Sequence, residues 1–235
     1  MEKQKWDIVI RPSKKLFDFR LKEFWNYRDL VLLFVKRDFV AYYKQTILGP
    51  IWFFLQPLFT TAIYMLIFGR IVKISTDGIP SYLFFLGGIL NWNYFAECLN
   101  KTATTFTTNS NIFGKVYFPR LTVPVSIVIS NLVTYLIQIL LLIIFMIIAA
   151  SYQDFHFQFG FELLLLPLLI LQIALFGLGM GIIVSSLTTK YKDLSFAVVF
   201  GVQLAMYATP VVYPMSAIPA KWSWIFFYNP MASII

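Results

Sequence analysis

Beyond residue 47 the chain is a succession of long apolar runs parted by short polar breaks. Runs over residues 50–72, 82–108, 123–150, 163–187 and 194–213 match the roughly 20 residues a helix needs to cross the hydrocarbon of a bilayer. None alternates as a membrane β-strand would, so the pattern predicts an all-α bundle with five spans. Ahead of them the periodicity changes. Across residues 21–46 the polar positions Lys22, Asn26, Asp29, Lys36, Arg37 and Lys44 recur at helical spacing, opposite Phe24, Trp25, Val31, Phe34, Val35 and Tyr42. This predicts an amphipathic helix, or two short ones, lying in the headgroup layer; packing against another protein is the alternative. Residues 1–20 are polar and basic and predict a cytoplasmic arm. In residues 214–235 the longest apolar stretch is too short to cross, which predicts a re-entrant or interfacial segment.

Breaks inside the runs sharpen the picture. Pro50 suits a helix start, whereas Pro57 lies inside the first run and predicts a kink. It frees the carbonyl of Phe53, which a neighbouring helix or water must satisfy. Asp77-Gly78 and Pro80 mark a turn. The second run is the most polar, with Asn91, Trp92, Asn93, Tyr94, Glu97, Asn100 and Lys101, and these residues do not face lipid. In the third run, uncharged over 28 positions, Ser126, Ser130, Asn131, Thr134 and Gln138 form a polar stripe that predicts a protein-facing side. Gly177 and Gly181 in the fourth run permit close helix approach.

Composition agrees: 59% of the 235 residues are hydrophobic and only 13% charged, far from the soluble norm, and mean hydropathy is +0.75. The net charge of +8 is read as topology rather than nucleic-acid binding, because no basic module stands apart from the membrane runs. With the N-terminus inside, the arm, the amphipathic segment and the loops carrying Lys101, Lys115, Arg120, Lys190 and Lys192 are cytoplasmic. Of the 19 basic residues, only Arg70, Lys73 and Lys221 then fall outside, as the positive-inside rule requires. Five spans place the C-terminus outside, and a further span is expected beyond residue 235.

Several chemistries are excluded. The single cysteine, Cys98, and single histidine, His156, provide no metal-ligand spacing and no disulfide, and His156 reads as a solvated loop residue. No glycine-rich loop ending in Lys and Ser or Thr is present to hold nucleotide phosphates. Glu97 is the one acid within a span, and Lys101 lies one turn on, so a structural ion pair outweighs proton coupling or substrate contact. One carboxylate does not support paired acid–base catalysis. Asn91, Trp92, Asn93, Tyr94 and Glu97 instead suit a substrate path, since aromatic faces beside amides match a sugar. An aromatic belt at the membrane interface accounts for the aromatic content equally well.

Other residues carry a family resemblance. Leu30, Arg37-Asp38, Tyr43-Lys44-Gln45-Thr46, Leu48-Gly49-Pro50, Trp52 and Gln56-Pro57 resemble the N-terminal signature of type 2 ABC transporter permeases that export polysaccharides, among them O-antigen and teichoic-acid exporters. Asn111, Phe113, Lys115, Tyr117, Phe118, Pro119 and Arg120, then Tyr191-Lys192-Asp193-Leu194, Thr209-Pro210-Val211, Tyr213-Pro214 and Asn229-Pro230-Met231 follow that family's order. The resemblance spans residues 20–235. It implies a transmembrane domain over 47–235 and a coupling segment at 110–121, with Asn111, Phe113, Lys115, Tyr117, Phe118, Pro119 and Arg120 docking on an ATPase. It also implies a gate at Arg37, Asp38, Tyr43, Thr46, Leu48, Gly49 and Pro50. The implied assembly is two permease copies with two copies of an ABC ATPase, which binds the ATP and Mg; the permease itself holds no cofactor and is not an enzyme. The implied cargo is an undecaprenyl-linked glycan crossing the bacterial cytoplasmic membrane. A lipid or drug is the alternative cargo, and a membrane enzyme acting on lipid-linked sugars the distant one.

Overall fold

In a computed structural model, residues 21–44, 47–152, 160 and 164–235 are described, with backbone alone for residues 21, 22, 42, 43 and 152. The predicted arm, Thr46, His156 and the side chain of Tyr43 lie outside the described residues. Ten α-helices and no strand are found among the described residues. The amphipathic segment forms α1 (Leu21–Asn26) and α2 (Arg28–Lys44), parted at Tyr27. A tight turn at Gly49–Ile51 leads into α3 (Trp52–Tyr64), which widens into a π-helical turn over Met65–Ile71. Then follow α4 (Ser81–Ala103), the single turns α5 (Thr105–Thr108) and α6 (Ser110–Phe113), α7 (Thr122–Tyr152), α8 (Leu166–Lys190), α9 (Leu194–Tyr207) and α10 (Ser223–Phe227).

Among the described residues, three helices are long and apolar enough to cross a membrane: Gly49–Ile71, Thr122–Ser151 and Leu166–Lys190. The other two predicted spans are shorter than their apolar runs. The second breaks at Thr104, between α4 and α5. The fifth ends as a helix at Tyr207 after 14 residues, because Pro210 has no amide hydrogen to extend it. Val211 and Val212 then turn inward and are buried. At 31 residues, α7 is about 46 Å long and exceeds the roughly 30 Å of hydrocarbon. Its excess packs on protein: Phe34 of α2 joins Phe118 and Val123 in a small core at the first turns of α7.

The most polar helix, α4, occupies the centre of the bundle and contacts α3, α7, α8 and α9. Lipid is therefore replaced by protein around most of it, which explains how its Asn, Thr and Glu residues are tolerated. Its tightest neighbour is α8. Gly177 and Gly181 are buried there, and a Cβ on either would meet the Cβ of Cys98 at 2.8 Å or of Thr102 at 2.5 Å. Only hydrogen side chains allow this approach, and Thr188 exploits it by donating to the carbonyl of Ala103. The tail folds back on the other end of α4. Val211 oxygen lies 2.7 Å from where a Cβ of Gly88 would be, and Ser216 donates to Asp77 at 2.7 Å.

The carbonyl freed by Pro57 has found the partner its chemistry demands. Gln138 Nε2 on α7 donates to Phe53 O at 3.1 Å. Gln138→Leu is expected to lower stability by about 1 kcal/mol, the usual net worth of such a bond. In a Pro57→Ala background, where an amide of α3 itself reaches Phe53 O, the same change is expected to cost less. A double-mutant cycle of melting temperatures in detergent checks this.

Candidate functional site

The ends of the helices sort the charges. Basic residues of α2, the end of α4, the 114–121 connector and the 190–192 turn lie at one end of the bundle. Arg70, Lys73 and Lys221 lie with Asp77 and Ser216 at the other. At the more basic end, α2, α3, α4 and α7 line a half-open cavity of about 420 Å³. Two walls differ in chemistry. On one side stand Phe39 of α2 and Trp52 and Phe53 of α3, with Phe39 and Phe53 stacked at 6.1 Å. On the other, α4 presents Asn93, Tyr94, Glu97 and Lys101, and α7 the Ser130, Asn131, Thr134 and Gln138 part of its polar stripe, with Ser126 buried away from it.

The polar wall is largely interlocked. Lys101 Nζ lies 2.7 Å from Glu97 Oε2 and donates to Asn131 Oδ1 at 3.0 Å. The Glu97–Lys101 pair predicted from the sequence is therefore formed, and each side chain stays about half exposed. Tyr94 stacks on Tyr135 with centroids 4.7 Å apart. Two hydroxyls are less well placed. Ser130 Oγ is buried without a hydrogen-bond partner, and that of Tyr94, a residue 3% exposed, has only the weakly polar Cys98 thiol beside it.

Of the substrate-path residues, the structure gathers Asn93, Tyr94 and Glu97 on the cavity. It does not bring the other two there. Asn91 faces the far side, donating to Gly87 O at 3.0 Å and accepting from Tyr135. Trp92 is 4% exposed and packs on Phe95 in the core. Residues 91–94 sweep most of a helical turn, so they were bound to part company. The α7 stripe was legible as a protein-facing side; its place in a cavity was not. Its i, i+4 spacing at 130, 134 and 138 was the signal available.

Around the turn, Gly49 has φ +51°, a left-handed conformation that favours glycine. Leu48 and Pro50 are exposed beside it, and Arg37 Nη2 pairs with Asp38 Oδ1 at 2.7 Å while covering the ring of Phe34. Asp38 also lines the cavity. In the 110–121 segment, Phe118 is buried between Phe34, at 6.0 Å, and Phe113, at 5.3 Å. Asn111, Lys115 and Arg120 are exposed, Pro119 is half-buried, and the Tyr117 hydroxyl donates to Glu23 at 3.0 Å. The segment is thus an aromatic peg with a basic outer surface.

Known proteins are similar to this sequence. O-antigen export system permease protein RfbA of Klebsiella pneumoniae is 31% identical over 208 residues, covering 88% of this chain and 77% of that protein. RfbA of Myxococcus xanthus is 27% identical over 217 residues, covering 92% of this chain and 80% of that one. The family model for the ABC-2 type transporter matches residues 29–235. With a central polar helix, apolar spanning helices and this match over most of its length, the chain is a multi-pass membrane protein and belongs to the ABC-2 type transporter family.

Proposed function

We propose that this chain is the permease subunit of an ATP-driven exporter that moves an undecaprenyl-linked polysaccharide out across the bacterial cytoplasmic (inner) membrane. The observation that carries the reading is the likeness, along 88% of the chain, to a permease named for O-antigen export. Membership of an ABC transporter family implies a cognate ATPase, and the reading uses two copies of it with ATP and Mg, together with a second copy of this chain. The N-terminus is cytoplasmic, with five spans in this chain. This orientation is supported by the charge asymmetry between the two ends of the bundle.

The 110–121 segment serves as the ATPase contact, a role supported by its exposed Lys115 and Arg120 on a buried Phe118 anchor. Arg37, Asp38, Tyr43, Thr46 and the Leu48-Gly49-Pro50 turn form the cytoplasmic gate. Asn93, Tyr94 and Glu97 contact cargo, whereas Asn91 and Trp92 act through packing. Cells lacking the chain are expected to lose surface glycan and retain lipid-linked glycan on the cytoplasmic face. The full-length gene restores export only together with a hydrolysis-competent ATPase. Normal surface glycan in the deletion strain overturns the proposal.

A further inference from the structure

A continuous run of side-chain contacts leads from the 110–121 segment to the cavity. The ring of Phe113 lies 5.3 Å from that of Phe118, Phe118 lies 6.0 Å from Phe34 of α2, and the Arg37 guanidinium sits 4.8 Å from the centre of Phe34. Arg37 then holds Asp38 through two nitrogens on one oxygen, Nη2 at 2.7 Å and Nε at 2.8 Å. Asp38 lines the cavity. We propose that Arg37 is a coupling residue: the segment sets its seat on Phe34, and that seat decides whether the Asp38 charge at the cavity is neutralised. The inference rests on the reading of 110–121 as the ATPase contact and is independent of the cargo.

The backbone favours this route over the one through α4. Between α4 and the segment it leaves the helical conformation twice, at Thr104 with φ −102° and ψ 4° and at Asn109 with φ −103° and ψ 20°. Element ends of this kind absorb a displacement as hinges. Towards the N-terminal helices the segment is instead fastened at two points, about three turns apart. Phe118 is buried against Phe34, and the Tyr117 hydroxyl donates to Glu23 at 3.0 Å. The start of α7 shares the same small core through Val123, but α7 is held farther along by α4 and α8. Thus α2 is the part that follows the segment.

Arginine suits the position chemically. A planar guanidinium stacks on a ring with its face while its edge binds a carboxylate, and a lysine ammonium has neither plane nor fork. The Arg37 side chain is 40% exposed and that of Asp38 31%, so both contacts are of the weak, solvent-screened kind. A small tilt of Phe34 can exchange them. Without its guanidinium, the Asp38 carboxylate faces the cavity as a bare charge.

The test changes the cavity end and reads ATP hydrolysis at the other. The chain and its ATPase are reconstituted together in lipid nanodiscs as parent, Asp38→Asn, Arg37→Lys and the double variant, a cycle that isolates the link between the two residues. Asp38→Asn is expected to change permease-stimulated hydrolysis about fivefold or more in the parent background, the usual lower bound of a coupling between sites. In the Arg37→Lys background the same change is expected to have no effect, because the link is already cut. Phe34→Leu, which removes the ring under Arg37, provides a second background with the same expectation. Melting temperature and ATPase co-purification are expected to stay at the parent level in Arg37→Lys. No effect of Asp38→Asn on the parent, or an equal effect in every background, overturns the inference. So does loss of ATPase co-purification in Arg37→Lys, which would make Arg37 part of the docking surface. Unchanged co-purification with Lys115→Glu and Arg120→Glu removes the ATPase-contact reading and this inference with it; a parent chain that leaves surface glycan unrestored removes the export reading alone.

Discussion

Gly181→Ala is expected to yield a chain that inserts poorly and melts well below the parent, by about 1–3 kcal/mol as for other overpacked cores. The added Cβ would sit 2.5 Å from Thr102 Cβ, 2.7 Å from its Cγ2 and 3.1 Å from Leu99 O. Two of these obstacles cannot swing aside, because one is backbone and another is a Cβ fixed by it. Repacking therefore requires α4 and α8 to move apart, and with them the Thr188 bond to Ala103. The choice of rescue tests this geometry. Thr102→Ala leaves the Cβ in place and is expected to restore little. Thr102→Gly removes it and is expected to recover part of the loss, less about 1 kcal/mol for glycine within a helix. Thermal unfolding followed by tryptophan fluorescence in detergent distinguishes these outcomes. Equal rescue by both variants would place the strain elsewhere.

Reversing charge at Lys115 and Arg120 together is expected to leave insertion and melting temperature unchanged and to reduce ATPase co-purification by about tenfold or more. Both side chains are exposed, and surface changes away from the core alter stability little. A tenfold loss corresponds to about 1.4 kcal/mol, modest for two like-charge juxtapositions at an interface. Phe118→Ala is the contrasting variant. It removes the ring lodged between Phe34 and Phe113, so it is expected to lower both stability and association. Unchanged co-purification and unchanged ATPase stimulation with Lys115→Glu and Arg120→Glu would remove the coupling role from this segment.

The amino-acid sequence by itself determined a good deal. Uncharged runs of membrane length without strand alternation are buried as helices, which pointed to the all-α class. The asymmetry of Lys and Arg pointed to an orientation, and Pro57 required a donor for Phe53 before any neighbour was known. Gly177 and Gly181 announced a tight contact one turn apart. These properties are local: each follows from spacing along a single helix or from the chemistry of one residue.

Partners and depth were decided only by the tertiary structure. That the donor is Gln138, that the glycines face Cys98 and Thr102, and that α4 sits at the centre depend on how helices distant in sequence cross. The same is true of the site. Asn91, Trp92, Asn93 and Tyr94 are consecutive in sequence, yet a helix turns each by about 100°. Asn93 and Tyr94 line the cavity between α2, α3, α4 and α7, while Asn91 bonds across to α7 and Trp92 enters the core. Composition shows only that such residues avoid lipid. Which of them faces a cavity is fixed by the helices that surround α4.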